Sequence, residues 1–255
     1  MAITARQTDN PDMTTRIHIP EGLAEGATLD LPENAFRHLV QVLRLREGDP
    51  FTAFDGRGGE YDAVLIEISK RSANVGILAH HAVERESPLD LTLAQCVSKG
   101  DRMDFTVQKA VELGITRIVP LISGRSVVRL DEERWEKKLE HWRGIVVSAC
   151  EQSGRTAVPT VEVPIALPTW LDDESARGTR LTLDPDAPHS LRELPAPQGP
   201  VTLLVGPEGG LSEMELKHAH AAGFIGMRMG PRVLRTETAG VAALAALQSK
   251  WGDWN

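Results

Sequence analysis

The stretch LLVGPEGGLSEMEL, residues 203–216, runs a strand into a helix through a loop that neither element requires. Leu203, Leu204 and Val205 lead into Gly206, and Pro207, Glu208, Gly209 and Gly210 follow. Ser212 and Glu215 form an S-x-x-E capping box, so a helix is expected to begin there. Gly206–Gly210 then lies at the carboxyl end of a strand, where open α/β sheets bind ligands. Glycines let a ligand approach the backbone, and Pro207 stiffens the path. The Lys and Ser/Thr of a P-loop are missing, as is the G-x-G-x-x-G spacing of a dinucleotide fold. A central carboxylate is unfavourable for cradling phosphate but suits a cationic or neutral ligand. A plain tight turn is the alternative reading.

Working outward, "VTLLVG" and "RLTLDP" are short apolar runs that read as buried parallel strands. From Leu91 strands alternate with helices: "LTLAQCVS", a helix over Asp101–Leu113, then "RIVPLIS". Trp135, Leu139, Trp142, Val146 and Ala149 step along one helical face. This alternation implies an α/β sheet with both faces covered. Before the charged stretch "VERESPLD" the pattern differs. Residues 14–85 read as short strands around one helix, whose face is Phe36, Leu39, Val40 and Leu43. "FDGRGGEY" supplies hairpin chemistry between Phe51–Phe54 and Tyr61–Ile68. The expected organisation is a disordered tail over 1–13, a small β-rich module over 14–85 and an α/β domain over 86–255.

Bulk properties narrow the function classes. The 255 residues include 41% hydrophobic and 25% charged side chains, as in globular proteins, and no apolar run approaches a membrane span. Net charge is −8. Through Arg85 there are 9 basic and 13 acidic residues, leaving 19 and 23 beyond it, so nucleic-acid contact would need a local patch. Arg37, Gln41 and Arg44 share a helical face, and Arg16, Arg46, Lys70 and Arg71 extend the candidate patch. A solvated face is the alternative. Cys96 and Cys150 read as buried thiols of a cytoplasmic protein. His218 and His220 diverge on a helix, His80 and His81 lack partners, and neither pair suggests a metal.

Further candidates lie in "MGPRVLRTETAG", Met229–Gly240. Thr236 or Thr238 can cap the helix that follows, and Arg235 with Glu237 form either a structural pair or part of a site. That helix carries AGVAALAAL, 239–247, without a polar side chain. It must be buried all round, either in the core or in a subunit interface. The polar stripe Asp104, Gln108 and Glu112 reads as solvated. Glu151, Gln152 and Arg155 in "ACEQSGR" read as structural, although Arg155 has the chemistry to meet phosphate.

Taken in order, "FRHLVQVLRLREGD", "KGDRMDFTVQKAVELGITRIVPLIS", "ACEQSGR", "LTLDP", "LLVGPEGGLS" and "VLRTETA" resemble the RsmE family of 16S rRNA uracil-N3 methyltransferases, of the SPOUT class. The resemblance covers nearly the whole chain from Arg16. It implies a PUA-like RNA-binding first domain, a SPOUT-type second domain threaded as a trefoil knot, and a homodimer without metal or membrane attachment. It implies S-adenosylmethionine as the methyl donor and 16S rRNA, or the small ribosomal subunit, as partner. The cofactor walls would be Leu183 and Pro185, then Val205, Gly206, Pro207, Gly209 and Gly210, then Met229, Gly230, Leu234, Arg235, Thr236 and Ala239. A sulfonium would explain an acidic loop where phosphate sites have none. For catalysis, Arg235 is the candidate to stabilise charge developing on uracil, with Glu237 or Glu208 as candidate bases. RNA contacts would come from Arg16, Arg37, Arg44 and Arg46. Competing readings are a ribose 2′-hydroxyl methyltransferase, a non-catalytic assembly factor and a nucleotide-dependent oxidoreductase.

Overall fold

The computed structural model of the chain describes residues 15–126, 131–173 and 178–254. The expected tail over 1–13 lies outside them, as does Thr14. Two compact units divide the chain: residues up to Glu86 together with Cys150–Val158, and Ser87–Ala149 together with Pro159 onward.

The first unit contains β1 (Arg16–His18), β2 (Thr28–Asp30), α1 (Glu33–Phe36), β3 (Pro50–Phe54), β4 (Glu60–Ile68) and β5 (Ala73–His81). Its sheet order is β1-β3-β4-β5-β2; β1 runs parallel to β3 and the other pairs are antiparallel. Phe51, Ala63, Leu65, Val75 and Ile77 meet Ile17 and Ile19 in one core, closed by Ala35, Phe36 and Leu39. Each fully buried Val, Leu, Ile or Phe among them contributes about 1.5–3 kcal/mol.

The helical segment departs from the expected period. After α1 the backbone continues as a π-helix over Arg37–Val42, with Leu43 N–H donating to the His38 carbonyl. The wider turn carries Leu43 off the core face, to 42% exposed, and Leu45 packs instead. Arg37 and Gln41 still lie within the helix, but Arg44 follows it at φ 58°, so the expected single face does not extend to it.

Segment 150–158 joins this unit through its backbone and the Glu151 carboxylate. His18 N–H donates to Glu151 at 3.1 Å, Val158 N–H to the Gly56 carbonyl at 3.1 Å, and Gly58 N–H to the Thr156 carbonyl at 3.2 Å. The Glu86 carboxylate pairs with Arg155 and accepts from the Thr156 and Ala157 N–H groups. Arg155 is therefore buried and engaged, which removes it as a phosphate ligand.

The second unit runs β6 (Leu91–Cys96), α2 (Asp101–Glu112), β7 (Arg117–Ile122), α3 (Glu132–Ser153, whose last turn belongs to the first unit), β8 (Thr160–Val161) and β9 (Ile165–Ala166). It continues with α4 (Leu167–Asp173), β10 (Thr179–Leu183), β11 (His189–Ser190), β12 (Val201–Val205), α5 (Glu213–Ala221), β13 (Ile225–Arg228) and α6 (Thr236–Trp251). The sheet order is β11-β13-β10-β12-β6-β7-β8, with β9 also beside β7, and every pairing is parallel. β6 and β12 are buried along their whole length, as their mostly apolar runs require in a sheet covered on both faces, with Thr92, Gln95 and Thr202 as buried polar exceptions.

Two helices modify their expected roles. Asp104, read as part of a solvated stripe on α2, accepts from His141 Nε2 at 2.7 Å and from Trp142 Nε1 at 3.1 Å. It fastens α2 to α3. On α6, Gly240, Ala243, Leu244 and Leu247 are buried, whereas Val241, Ala242, Ala245 and Ala246 are only half-buried in the single chain. Both cysteines are buried and free, and burial pushes their thiols up to about 12. Among the described residues, no helix is long and apolar enough to cross a membrane.

Candidate active site

Strands β13, β10 and β12 are neighbours and parallel, so Arg228, Leu183 and Val205 end at one edge of the sheet. The three loops that follow enclose a cavity of about 400 Å³. Leu183 and Pro185 line it from the first loop. Val205, Gly206, Pro207, Gly209 and Gly210 line it from the second, and Met229, Gly230 and Leu234 from the third. Thr236 and Ala239 of α6 complete the set, so every expected cofactor residue except Arg235 faces one space. Gly210 and Gly230 hold φ of 66° and 80°, and no atom stands within 4 Å of where a Cβ would be. Only glycine adopts such turns without strain, and it leaves bare backbone towards a ligand.

Sequence reading gave no role to several lining groups, although Asp184 and Arg232 fall within the stretches it singled out. Asp184 and Asp186 stand in the "LDPDA" turn after β10, where the Asp184 carboxylate accepts from the Asp186 N–H at 2.9 Å. Their strand-end position was a usable signal. Arg125, Arg232 and Met227 also line the cavity, and Arg125 carried no recognisable pattern.

The three candidate catalytic residues separate. Glu208 lines the cavity but accepts from Lys99 N–H and Arg102, each at 3.1 Å. Partial burial opposes its ionisation. Hydrogen bonds from its own N–H, from Lys99 N–H and from Arg102 outweigh that and hold the carboxyl below its ordinary range. Such a carboxylate is a weak base. Arg235 is exposed, stands off the cavity wall and has no ion pair among the described residues. The structural Arg235–Glu237 pair is absent: Glu237 Oε1 stands 3.9 Å from Arg102 Nε, and Glu237 Oε2 is buried without a hydrogen bond. Neither Thr236 nor Thr238 caps α6. The Thr236 hydroxyl instead donates to the Gly206 carbonyl at 2.6 Å and accepts from Gln95 Nε2 at 3.0 Å.

The capping box does form: Ser212 Oγ accepts from Glu215 N–H, and Glu215 accepts from Ser212 N–H. In the first unit Arg37, Arg44 and Arg46 are exposed. Arg16 is not available in the same way. It pairs with Glu60, donates to the Arg155 carbonyl at 3.1 Å and lies 5.0 Å from the Phe54 ring centre.

A parallel sheet with a glycine-walled, carboxylate-bearing cavity at its strand ends, joined to a small β-module, matches one class by family model. An RNA methyltransferase domain covers residues 85–248, and an RNA methyltransferase PUA domain covers 31–78. Ribosomal RNA small subunit methyltransferase E of Buchnera aphidicola is 35% identical over 93% of this chain and 97% of its own. A Neisseria gonorrhoeae protein of that name, solved with S-adenosyl methionine, is 44% identical with a TM-score of 0.89, covering 95% of this chain and 100% of its own. A Legionella pneumophila structure in complex with the bound cofactor SAM is 38% identical with a TM-score of 0.92, covering 94% and 99%. The chain belongs to the ribosomal RNA small subunit methyltransferase E family.

Proposed function

We propose that this chain transfers a methyl group from S-adenosylmethionine to small-subunit ribosomal RNA, at N3 of a uridine. The observation that carries this reading is the convergence of the glycine loop, the Met229–Leu234 loop and the start of α6 on one cavity. Its lining suits the donor: Leu183, Val205, Leu211 and Met227 offer apolar walls, bare glycine backbone offers hydrogen bonds, and Asp184, Asp186 and Glu208 offer negative charge to a cation. The donor supplies an activated methyl on a sulfonium. The family's structures solved with that compound support the assignment.

This chain's residues contribute orientation and charge. The loop walls fix one reacting partner, and alignment with the nucleophile supplies much of the acceleration. Uracil N3 must lose its proton, so a cation beside O2 or O4 stabilises the developing charge. Arg235, exposed and unpaired among the described residues, is assigned that role. Between the candidate bases, the docked and acidified Glu208 is disfavoured, which leaves Glu237. N3 lies on the pairing edge of uracil, so the base must be unpaired or flipped, and an RNA grip is required. Residues 14–85 serve as that PUA-like grip through Arg37, Arg44 and Arg46, and 86–255 as the SPOUT domain with its knot. The half-buried face of α6 is assigned to a homodimer interface.

Mass spectrometry of ribosomal RNA nucleosides from cells lacking the protein tests the reaction. Loss of 3-methyluridine from small-subunit rRNA is expected. Loss of a ribose-methylated nucleoside instead, or no loss, overturns the proposed target.

A further inference from the structure

Two arginines to which the sequence reading gave no role, Arg102 off the cavity wall and Arg125 on it, hold the glycine loop from neighbouring strand ends. From the first turn of α2, Arg102 reaches Glu208 at 3.1 Å and stands 3.9 Å from Glu237 on the first turn of α6. From the loop after β7, Arg125 donates to the Gly209 carbonyl at 2.8 Å and to the Leu211 carbonyl at 3.4 Å. The adjacent Gly124 N–H donates to Glu215 at 2.8 Å, which docks that loop on α5. One arginine therefore grips the loop by its only charged side chain and the other by its backbone.

We infer that Arg102 and Arg125 are positioning residues for methyl transfer, acting through the loop 206–211, whose wall they set before the donor enters. The proposal rests on the cavity being the S-adenosylmethionine site. A loop containing Gly209 and Gly210 has wide conformational freedom, and ordering it during binding would weaken affinity. A clamp removes that cost in advance. Guanidinium suits the task because its fixed fork of donors can serve a carboxylate or two carbonyls. The Arg102 side chain is 43% exposed and Arg125 is also exposed, so neither is expected to carry much global stability.

The test uses the full chain with Arg102→Ala, Arg125→Ala and the corresponding lysine variants. Hydrogen exchange without S-adenosylmethionine reads the clamp directly. Exchange across residues 206–212 is expected to rise about tenfold in the alanine variants, with melting temperature nearly unchanged. S-adenosylmethionine affinity, by calorimetry, is expected to fall about tenfold in each, with Arg102→Lys recovering within about threefold. Wild-type exchange and affinity in both alanine variants would overturn the proposal. So would equal loss of melting temperature and affinity in the alanine and lysine variants, which marks a structural role. Failure of the unmodified protein to bind S-adenosylmethionine would defeat the cofactor assignment, while loop exchange would still report on the clamp.

Discussion

The two glycine-bearing loops at the cavity are built on opposite plans. Gly206–Gly210 is fastened at nearly every residue: Thr236 holds the Gly206 carbonyl, Lys99 and Arg102 hold Glu208, Arg125 holds Gly209, and Gly210 N–H closes a turn on Pro207. Met229–Leu234 has no side-chain hydrogen bond among the described residues, and Val233 is 82% exposed at its tip. Both loops wall the same space. The fastened loop is suited to defining a ligand's position. The open one, leading to exposed Arg235, is suited to meeting a second, larger substrate.

Arg235→Ala should break the difference most visibly. We expect kcat to fall about 100-fold, the scale for removing one stabiliser of developing charge, with S-adenosylmethionine affinity within about threefold. Equal losses would make Arg235 a binding residue of the fastened kind. Valine at Gly210 forces a β-branched side chain into left-handed backbone and should weaken cofactor affinity about tenfold. The same change at Gly230 meets similar backbone strain, but its loop can relax, so about threefold is expected. Matching losses in calorimetry would show that both loops are equally rigid.

The first unit offers a parallel contrast between arginines. Reversing Arg37 and Arg44 to Glu should weaken RNA binding severalfold and flatten its salt dependence by about two units of slope. Arg16→Ala should leave the slope unchanged and lower the melting temperature, because that guanidinium is committed to Glu60 and the Arg155 carbonyl. A changed slope for Arg16 would return it to the RNA surface.

The smallest effects concern two carboxylates of the same unit. Burial raises the Glu151 carboxyl above its ordinary range, and the His18 N–H only partly offsets that. Between the ordinary and the raised value the folded form keeps a proton that the unfolded chain has released, so the stability present below that window is lost as pH rises through the raised value. Glu151→Gln is therefore expected to be neutral or stabilising by under about 1 kcal/mol at pH 7. Glu60 behaves oppositely. Burial pushes its carboxyl up, but hydrogen bonds from Arg85 and Arg16 prevail and hold it low. Its stabilisation is present above the ordinary glutamate range and is lost as pH falls through the depressed value. Glu60→Gln should cost about 1 kcal/mol at neutral pH and little in acid, measured by urea midpoints across pH.

Much of the fold was legible because it depends on local pattern. The apolar runs of β6 and β12, the Ser212 capping box and the β3–β4 hairpin each announce themselves within a dozen residues. The cavity's glycine and proline residues were also readable, through the ordered family motifs. What stayed hidden involved long-range partners. Nothing beside Arg125 indicates that it faces Gly209, 84 positions away, or beside Arg155 that Glu86 waits for it. The π-turn at Arg37–Val42 escaped because apolar spacing there suits an ordinary helix equally well.

Sequence alone determined the strand–helix alternation from β6 to α3, the buried strands β10 and β12, the strand-end glycine loop and the chemistry available around it, since these follow from hydrophobic period and backbone permissiveness, whereas α4 and the short strands β8, β9, β11 and β13 were not read from it. Tertiary structure alone decided which charges are free. Arg16 and Arg44 are the same residue type within one short module, yet one is locked against a carboxylate and the other faces solvent. Pairing is set by spatial neighbours, and no local pattern encodes the distance to a partner that the fold has yet to bring near.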